Sequence, residues 1–400
     1  MRVLGLSSGT SADGIDVAAA DLTLDGDLVR LRPLGHRTVP YSAPLHEELR
    51  SALPPGTTTM ETVCRLDTGI GQAFAAAARE AVADLAGGHA DLVASHGQTL
   101  FHWADGASVH GTLQLGQPAW TAEATGLPVV SDLRTADVAA GGQGAPLAAL
   151  LDTLLLNGRG VPAAALNIGG IANATVVPTS GEPAAFDTGP GNALMDAAVR
   201  RATGGRSGFD LDGRLAAEGR VDAALLDRLL ADPYYRLAPP KSTGLELFGP
   251  AYLEEALHEH GPVETPDLLA TLVELTARTV ADALASRAVA EVHVSGGGAR
   301  NPVLTRRLAE LLRPARLSPA EDLGLDGDAK EAYLFALLGF FTWHGLPGAL
   351  PSCTGARRAT PAGRLTPGSG PLRLPEPAAT VPRRLEVTDP AQEPAPAPDG

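Results

Sequence analysis

The chain has 400 residues, 44% of them apolar and 19% charged, with a formal charge of −15. That acidity argues against a nucleic-acid surface, and no apolar run approaches the roughly 18 residues of a membrane span. Cys64 and Cys353 stand in unrelated contexts with no histidine spacing around them, which argues against a disulfide framework or a zinc site.

The amino terminus enters an apolar run directly, with no basic segment ahead of it, so a cytoplasmic location is expected. Val3 to Leu6 and Val17 to Leu22 read as strands around the turn Gly9-Thr10-Ser11-Ala12-Asp13-Gly14-Ile15-Asp16. The glycines let backbone N–H groups approach an anion, Thr10 and Ser11 add hydroxyls, and Asp13 and Asp16 can hold a hydrated cation. An ordinary hairpin using Gly and Asp for turn geometry is the competing reading. A long alanine-rich helix is predicted over Glu61 to Ala86. Asp91 to Ala94 is predicted as a strand leading into the polar cluster Ser95-His96-Gly97-Gln98-Thr99. Asp132, Arg134 and Asp137 precede Gly141-Gly142-Gln143-Gly144, read as a flexible turn between lobes.

A second strand-turn-strand runs from Ala163 to Val177 around Asn167-Ile168-Gly169-Gly170-Ile171-Ala172-Asn173. The chain thus opens two halves in the same way, a weak internal duplication that predicts two mixed sheets with helices around them. Ala184 to Phe186 then enters Asp187-Thr188-Gly189-Pro190-Gly191-Asn192 ahead of a helix from Ala193 to Thr203, an arrangement that offers N–H groups and a dipole end to phosphate. Glu291 to Ser295 enters Gly296-Gly297-Gly298-Ala299-Arg300-Asn301, with Pro302 opening a helix. A flat heterocycle could lie on those three glycines, with Asn301 or Arg300 at its edge; tight packing of strand on helix is the competing reading. From Gly368 to Gly400 the chain is rich in Pro, Ala and Glu and is expected to be disordered.

The series GTSADGID, SHGQTLFH, SDLRTADVAAGGQGAPL, NIGGIANAT, FDTGPGNALMD, PPKSTG, VSGGGARN, GDAKEAYLFALLG and LPSCTGARR, from Val3 to about Arg364, resembles the anhydro-N-acetylmuramic acid kinases. These belong with the sugar kinases, actin and the seventy-kilodalton chaperones. The resemblance implies a two-lobed α/β actin-like ATPase fold, each lobe a mixed sheet with flanking helices and the nucleotide in the cleft between. The first lobe would be residues 1–135 with 338–368, the second 136–337, and 369–400 a disordered tail. It also implies a kinase that opens the 1,6-anhydro ring with water and phosphorylates the 6-oxygen, using ATP and Mg2+. A small anhydro amino sugar would be the partner, in a chain that is compatible with a homodimer.

On that resemblance Asp187 is the base for the water and Glu331 the second active-site carboxylate, and Asp16 is the metal residue. Gly9 to Asp16, Gly169, Gly170, Thr188, Gly189, Gly191, Asn192, Gly296, Gly297, Gly298 and Asn301 would surround the nucleotide. His96, Gln98, Thr99, Arg134 and Asp137 would meet the sugar, Arg134 being suited to its lactyl carboxylate by the guanidinium fork. Each has a plainer reading: Asp187 capping its turn or holding magnesium, Glu331 an exposed helix residue, His96 a structural hydrogen-bonding group, Arg134 a brace to Asp132 or Asp137. Ser7, Leu133 and Leu245 depart from the family pattern, and Leu245 removes a charge from the Lys241-Ser242-Thr243-Gly244 loop. Another sugar or acetate-type kinase, or a nucleotide-switched binding protein, are the alternatives.

Overall fold

The computed structural model describes residues 1–9, 12–105 and 108–388. The chain divides into two compact units, Met1–Leu155 with the chain from Leu323 onward, and Leu156–Asp322.

In the first unit, β1 (Arg2–Ser8), β2 (Gly14–Asp25), β3 (Leu28–Pro40), β4 (Leu92–Asp105), β5 (Ser108–Leu115) and β6 (Val129–Ser131) belong to one sheet. β1 runs antiparallel to β2 and parallel to β4, β2 is antiparallel to β3, and β4 is parallel to β6. In the second unit β7 (Ala163–Ile168), β8 (Ile171–Val177), β9 (Ala184–Pro190), β10 (Glu291–Ser295) and β11 (Arg316–Pro319) take the order β11-β10-β7-β8-β9. The order β6-β4-β1-β2-β3 and the strand directions are the same in the first unit, so the duplication read from the two hairpins is a duplication of sheet topology.

Alternation along β1 and β4 sends Val3, Leu92 and Ala94 to one face and Leu4, Leu6 and Val93 to the other. The first face is covered by helices Ala148–Leu156 and Lys330–Trp343, the second by helix Met60–Asp84. Helix Lys330–Trp343 lies directly on the sheet. A Cβ at Gly5 would overlap the backbone of Ala332 and Ala336, and Gly339 abuts Ala94. The buried pair Lys330 Nζ–Asp152 Oδ1, 2.5 Å, ties the start of this helix to helix Ala148–Leu156. In the second unit one face of the sheet, with Leu166, Ala174, Phe186 and Val294, is covered by helices Ala193–Thr203, Ala223–Leu230, Thr265–Ala285 and Pro302–Leu311.

Four expectations are corrected. The unit boundaries fall at Leu155/Leu156 and Asp322/Leu323, because both helices that cover the first sheet pack there; Glu331 is therefore in the first unit. Ser95 to Thr99 continues strand β4, since Gln98 pairs with both β1 and β5. The Gly141–Gly144 turn, read as lying between lobes, falls inside the first unit, after a short helix Thr135–Ala139. Part of the expected disordered tail is ordered: β13 (Arg384–Val387) pairs with β3 and buries Leu385, forming one edge of the sheet, while β12 (Arg364–Thr366), ahead of the tail, pairs with β6 at the other edge. Residues 389–400 lie outside the described residues.

Candidate functional site

The first-unit turn joins β1 to β2 just beyond the pair Ser7↔Asp16. Ala12 takes a positive φ of 56° and donates its N–H to Gly9 O at 3.1 Å; Thr10 and Ser11 lie outside the described residues. Gln98, buried in β4, braces this turn. Its Nε2 donates to Gly9 O at 3.2 Å, and its Oε1 lies 2.6 Å from Ser8 Oγ. Asp16 accepts a bond from the Thr38 hydroxyl on one oxygen, 2.6 Å. Asp13 is exposed and Gly14 and Ile15 are buried within β2. Among the described residues no group of three or more His, Cys, Asp or Glu converges as a metal cage.

Arg134 precedes the short helix Thr135–Ala139 and reaches back to β4. Its Nε donates to His96 Nε2 at 2.8 Å and its Nη1 to Gly144 O at 2.8 Å. An arginine Nε is always a donor, so His96 Nε2 must be bare and Nδ1 carries the proton that goes to Gly97 O, 3.0 Å away. His96 is thus fixed as one neutral tautomer, its ring tilted against Phe335 with centroids 4.6 Å apart. Burial first, and the Arg134 charge second, push its pKa down to about 3. Glu331 stands at the start of helix Lys330–Trp343 with an exposed face. Protein crowding around its carboxyl raises its pKa, the Arg134 charge opposes that, and the Asp16 charge adds to it. Arg134, Glu331 and Asp16 are therefore electrostatic neighbours. Thr99 accepts from Gln114 Nε2 at 3.2 Å. Asp137 is buried and its oxygens are engaged, one by Gly144 N–H at 2.8 Å and one by the Thr354 hydroxyl at 2.7 Å. It fastens the Gly141–Gly144 turn to the PSCTGARR segment.

In the second unit Asp187 sits in β9, locked on three sides. Its N–H donates to Lys241 O at 3.1 Å, its carbonyl accepts from the Tyr234 hydroxyl at 2.9 Å, and Oδ2 accepts from Thr243 N–H at 2.8 Å. Burial raises its pKa to about 6, against the Thr243 bond that lowers it; the Glu246 charge raises it further and the Lys241 charge lowers it. Lys241 is held by the Tyr234 and Tyr235 carbonyls and lies 4.5 Å over the Tyr234 ring. Of these holders Lys241 and Thr243 lie in the polar loop named in the sequence, though not as partners of Asp187, and nothing local marks Tyr234.

The glycine turns meet one another. N–H groups of Gly191, Asn192 and Ala193, expected to face an anion, donate instead to the Gly169 and Gly170 carbonyls at 2.8–3.1 Å. Gly170 N–H donates to no group among the described residues. The Thr188 hydroxyl is spent on Ala172 O at 3.1 Å, and Gly189 lies in β9 opposite Ala172. Gly296, at φ 83°, has no room for a Cβ against Asn167 and Ile168, and Gly298 presses on Ile168 and Asn192. Gly297–Arg300 forms a 3-10 turn, and Asn301 Oδ1 caps the following helix through Val303 and Leu304 N–H. The structure thus brings Gly169, Gly170, Asn192, Gly297 and Gly298 together around Ile168, while Asn301 caps the helix beside them.

The profile of the family described as Anhydro-N-acetylmuramic acid kinase matches residues 1–368. Relatives bearing that name are 61% identical in Streptomyces coelicolor, over 97% of this chain and 99% of the relative, and 56% identical in Streptomyces avermitilis, over 96% and 99%. A third, from Rhodococcus erythropolis, is 53% identical over 97% of this chain and 99% of its own.

Proposed function

The chain belongs to the anhydro-N-acetylmuramic acid kinase family, and from that premise we propose how its residues carry the reaction. The protein is an ATP-dependent kinase that acts on 1,6-anhydro-N-acetylmuramic acid in cell-wall recycling. Water adds to the anomeric carbon, the bond from that carbon to O6 breaks, and O6 bonds to the γ-phosphorus as ADP leaves. Asp187 takes the water proton. The observation that carries this role is the half-committed carboxylate: Oδ2 is fixed by Thr243 N–H, and burial holds the pKa near 6, so the group is ionised at neutral pH yet basic enough to accept a proton.

For the nucleotide the first unit offers the turn from Gly9 to Asp16, and the second offers the Gly169–Gly170 turn for phosphate and Gly296–Gly298 for the base. Asp16 is the protein carboxylate that would hold an Mg2+ brought with ATP, a cation that keeps most of its hydration, and the ion would supply neutralisation of phosphate charge. Arg134 and Glu331 face the sugar, the guanidinium toward the lactyl carboxylate. Gln98 braces the Gly9 turn, and Asp137 braces the Gly141–Gly144 turn, whose Gly144 carbonyl holds Arg134. No helix among the described residues is long and apolar enough to cross a membrane, and an ATP-consuming kinase belongs in the cytoplasm.

Purified protein with MgATP is to release ADP only when the anhydro sugar is present, and not with N-acetylmuramic acid or N-acetylglucosamine. In oxygen-18 water the label is to enter the anomeric hydroxyl and not the phosphate. Label in phosphate, or ADP release with a free sugar alone, overturns this reading.

A further inference from the structure

The pairing of the second sheet places four polar residues in one row across four strands: Ser295 on β10, Asn167 on β7, Asn173 on β8 and Asp187 on β9 are successive register partners. The row below, Val294, Leu166, Ala174 and Phe186, lies in the core under the helices, so the polar row points to the other face. Directly paired residues share a face with Cβ atoms about 4.5–5.5 Å apart, which puts the Asn173 carboxamide beside the Asp187 carboxylate. A bulge makes this pairing. The register of β8 on β9 shifts between Ala172 and Asn173, leaving Thr188 as the extra residue, and without it Asn173 would oppose Thr188. Asn173 is partly buried, and among the described residues its amide makes no hydrogen bond and Asp187 Oδ1 accepts none.

We propose that Asn173 is a further catalytic residue, its carboxamide N–H donating to the oxygen of the water whose proton Asp187 takes. A water held by Asp187 alone can swing about one hydrogen bond. A second contact from the neighbouring strand fixes the lone pair that attacks the anomeric carbon. The water then forms its bond to that carbon, the carbon–O6 pair leaves with O6, O6 bonds to the γ-phosphorus as the bond from phosphorus to the ADP oxygen breaks and ADP leaves, and the water proton goes to Asp187. This rests on Asp187 being the base.

The test compares Asn173→Ala, the isosteric Asn173→Asp and Asp187→Asn in full-length protein, measuring kcat, both KM values and the pH profile of kcat. Asn173→Ala is expected to lower kcat about 10- to 100-fold with KM for ATP and sugar within about twofold. Asn173→Asp sets a second carboxylate beside Asp187 and is expected to move the acid limb of the profile to higher pH, which tests that the two side chains adjoin. Should Asn173→Ala fail to fold, Asn173→Ser is measured in its place and the same fall in kcat is expected. Near-normal kcat in Asn173→Ala, or an unmoved limb in Asn173→Asp, with Asp187→Asn still crippled overturns the role of Asn173 only. Near-normal turnover of Asp187→Asn overturns the premise instead.

Discussion

At the scale of single residues, two titrating groups have been pushed in opposite directions for opposite uses. Burial lifts Asp187 to about 6, so a base role makes kcat fall about tenfold per pH unit below 6 and level off above it. Asp187→Asn is expected to cost two to four powers of ten in kcat while nucleotide still binds, as steady-state kinetics with calorimetry will show. His96 is pressed down to about 3, so it contributes no inflection between pH 5 and 8. Its use is to hold Arg134: loss of a hydrogen bond to a charged group, about 1.5–3 kcal/mol, predicts that His96→Ala raises the sugar KM at least tenfold and leaves the ATP KM unchanged. The sequence put His96 and Arg134 near the same ligand through their motifs, but not in contact with each other. Thirty-eight residues separate them, and only the folding of β4 against the segment after β6 joins them.

At the scale of elements, helix Lys330–Trp343 carries Glu331 on its first turn and packs on the sheet through apolar side chains and, at Gly5 and Gly339, through close backbone approach. Gly5→Ala would drive a methyl into the Ala332 carbonyl. The expected cost is about 1–3 kcal/mol of overpacking, seen as a lower Tm, together with a raised sugar KM as the helix and Glu331 shift, and an unmoved acid limb because Asp187 lies elsewhere. The strong local patterns were legible: the two opening hairpins, the helix near 61–86 that spans Met60–Asp84, the helix Ala193–Thr203 and the helix opened by Pro302. Strands β12 and β13 were not, because three or four residues among prolines carry no alternation and form only where an edge of the sheet awaits them. The donors of the Asp-Thr-Gly-Pro-Gly-Asn turn were misread for a related reason. Composition shows that N–H groups are presented, not that a second glycine turn from the neighbouring hairpin has already taken them.

At the scale of the whole molecule, the residues proposed for the reaction are divided by unit: Asp16, Arg134 and Glu331 in the first, Asp187, Asn173 and the paired glycine turns in the second. Nucleotide that binds only the folded chain is expected to raise the Tm with its concentration, by the equivalent of about 2.7 kcal/mol at a hundredfold excess over Kd. Asp16→Asn or a chelator removes the magnesium-dependent part of that rise in a thermal melt. Two sheets and a duplication were legible in the sequence, but the seams were not, since the apolar stretch from Leu147 to Leu156 reads equally well as the end of one unit or the start of the next. The seams also impose an order on synthesis. The second unit is a single uninterrupted stretch, whereas the first is completed only after it, by the helix Lys330–Trp343 and strands β12 and β13. A nascent chain therefore carries Val3, Leu92 and Ala94 without the cover of helix Lys330–Trp343 while the whole of residues 156–322 is being made. Through that interval the unfinished sheet is a substrate for chaperones, and a ribosome-stalled chain ending at Asp322 leaves it open to protease while its later half is already closed.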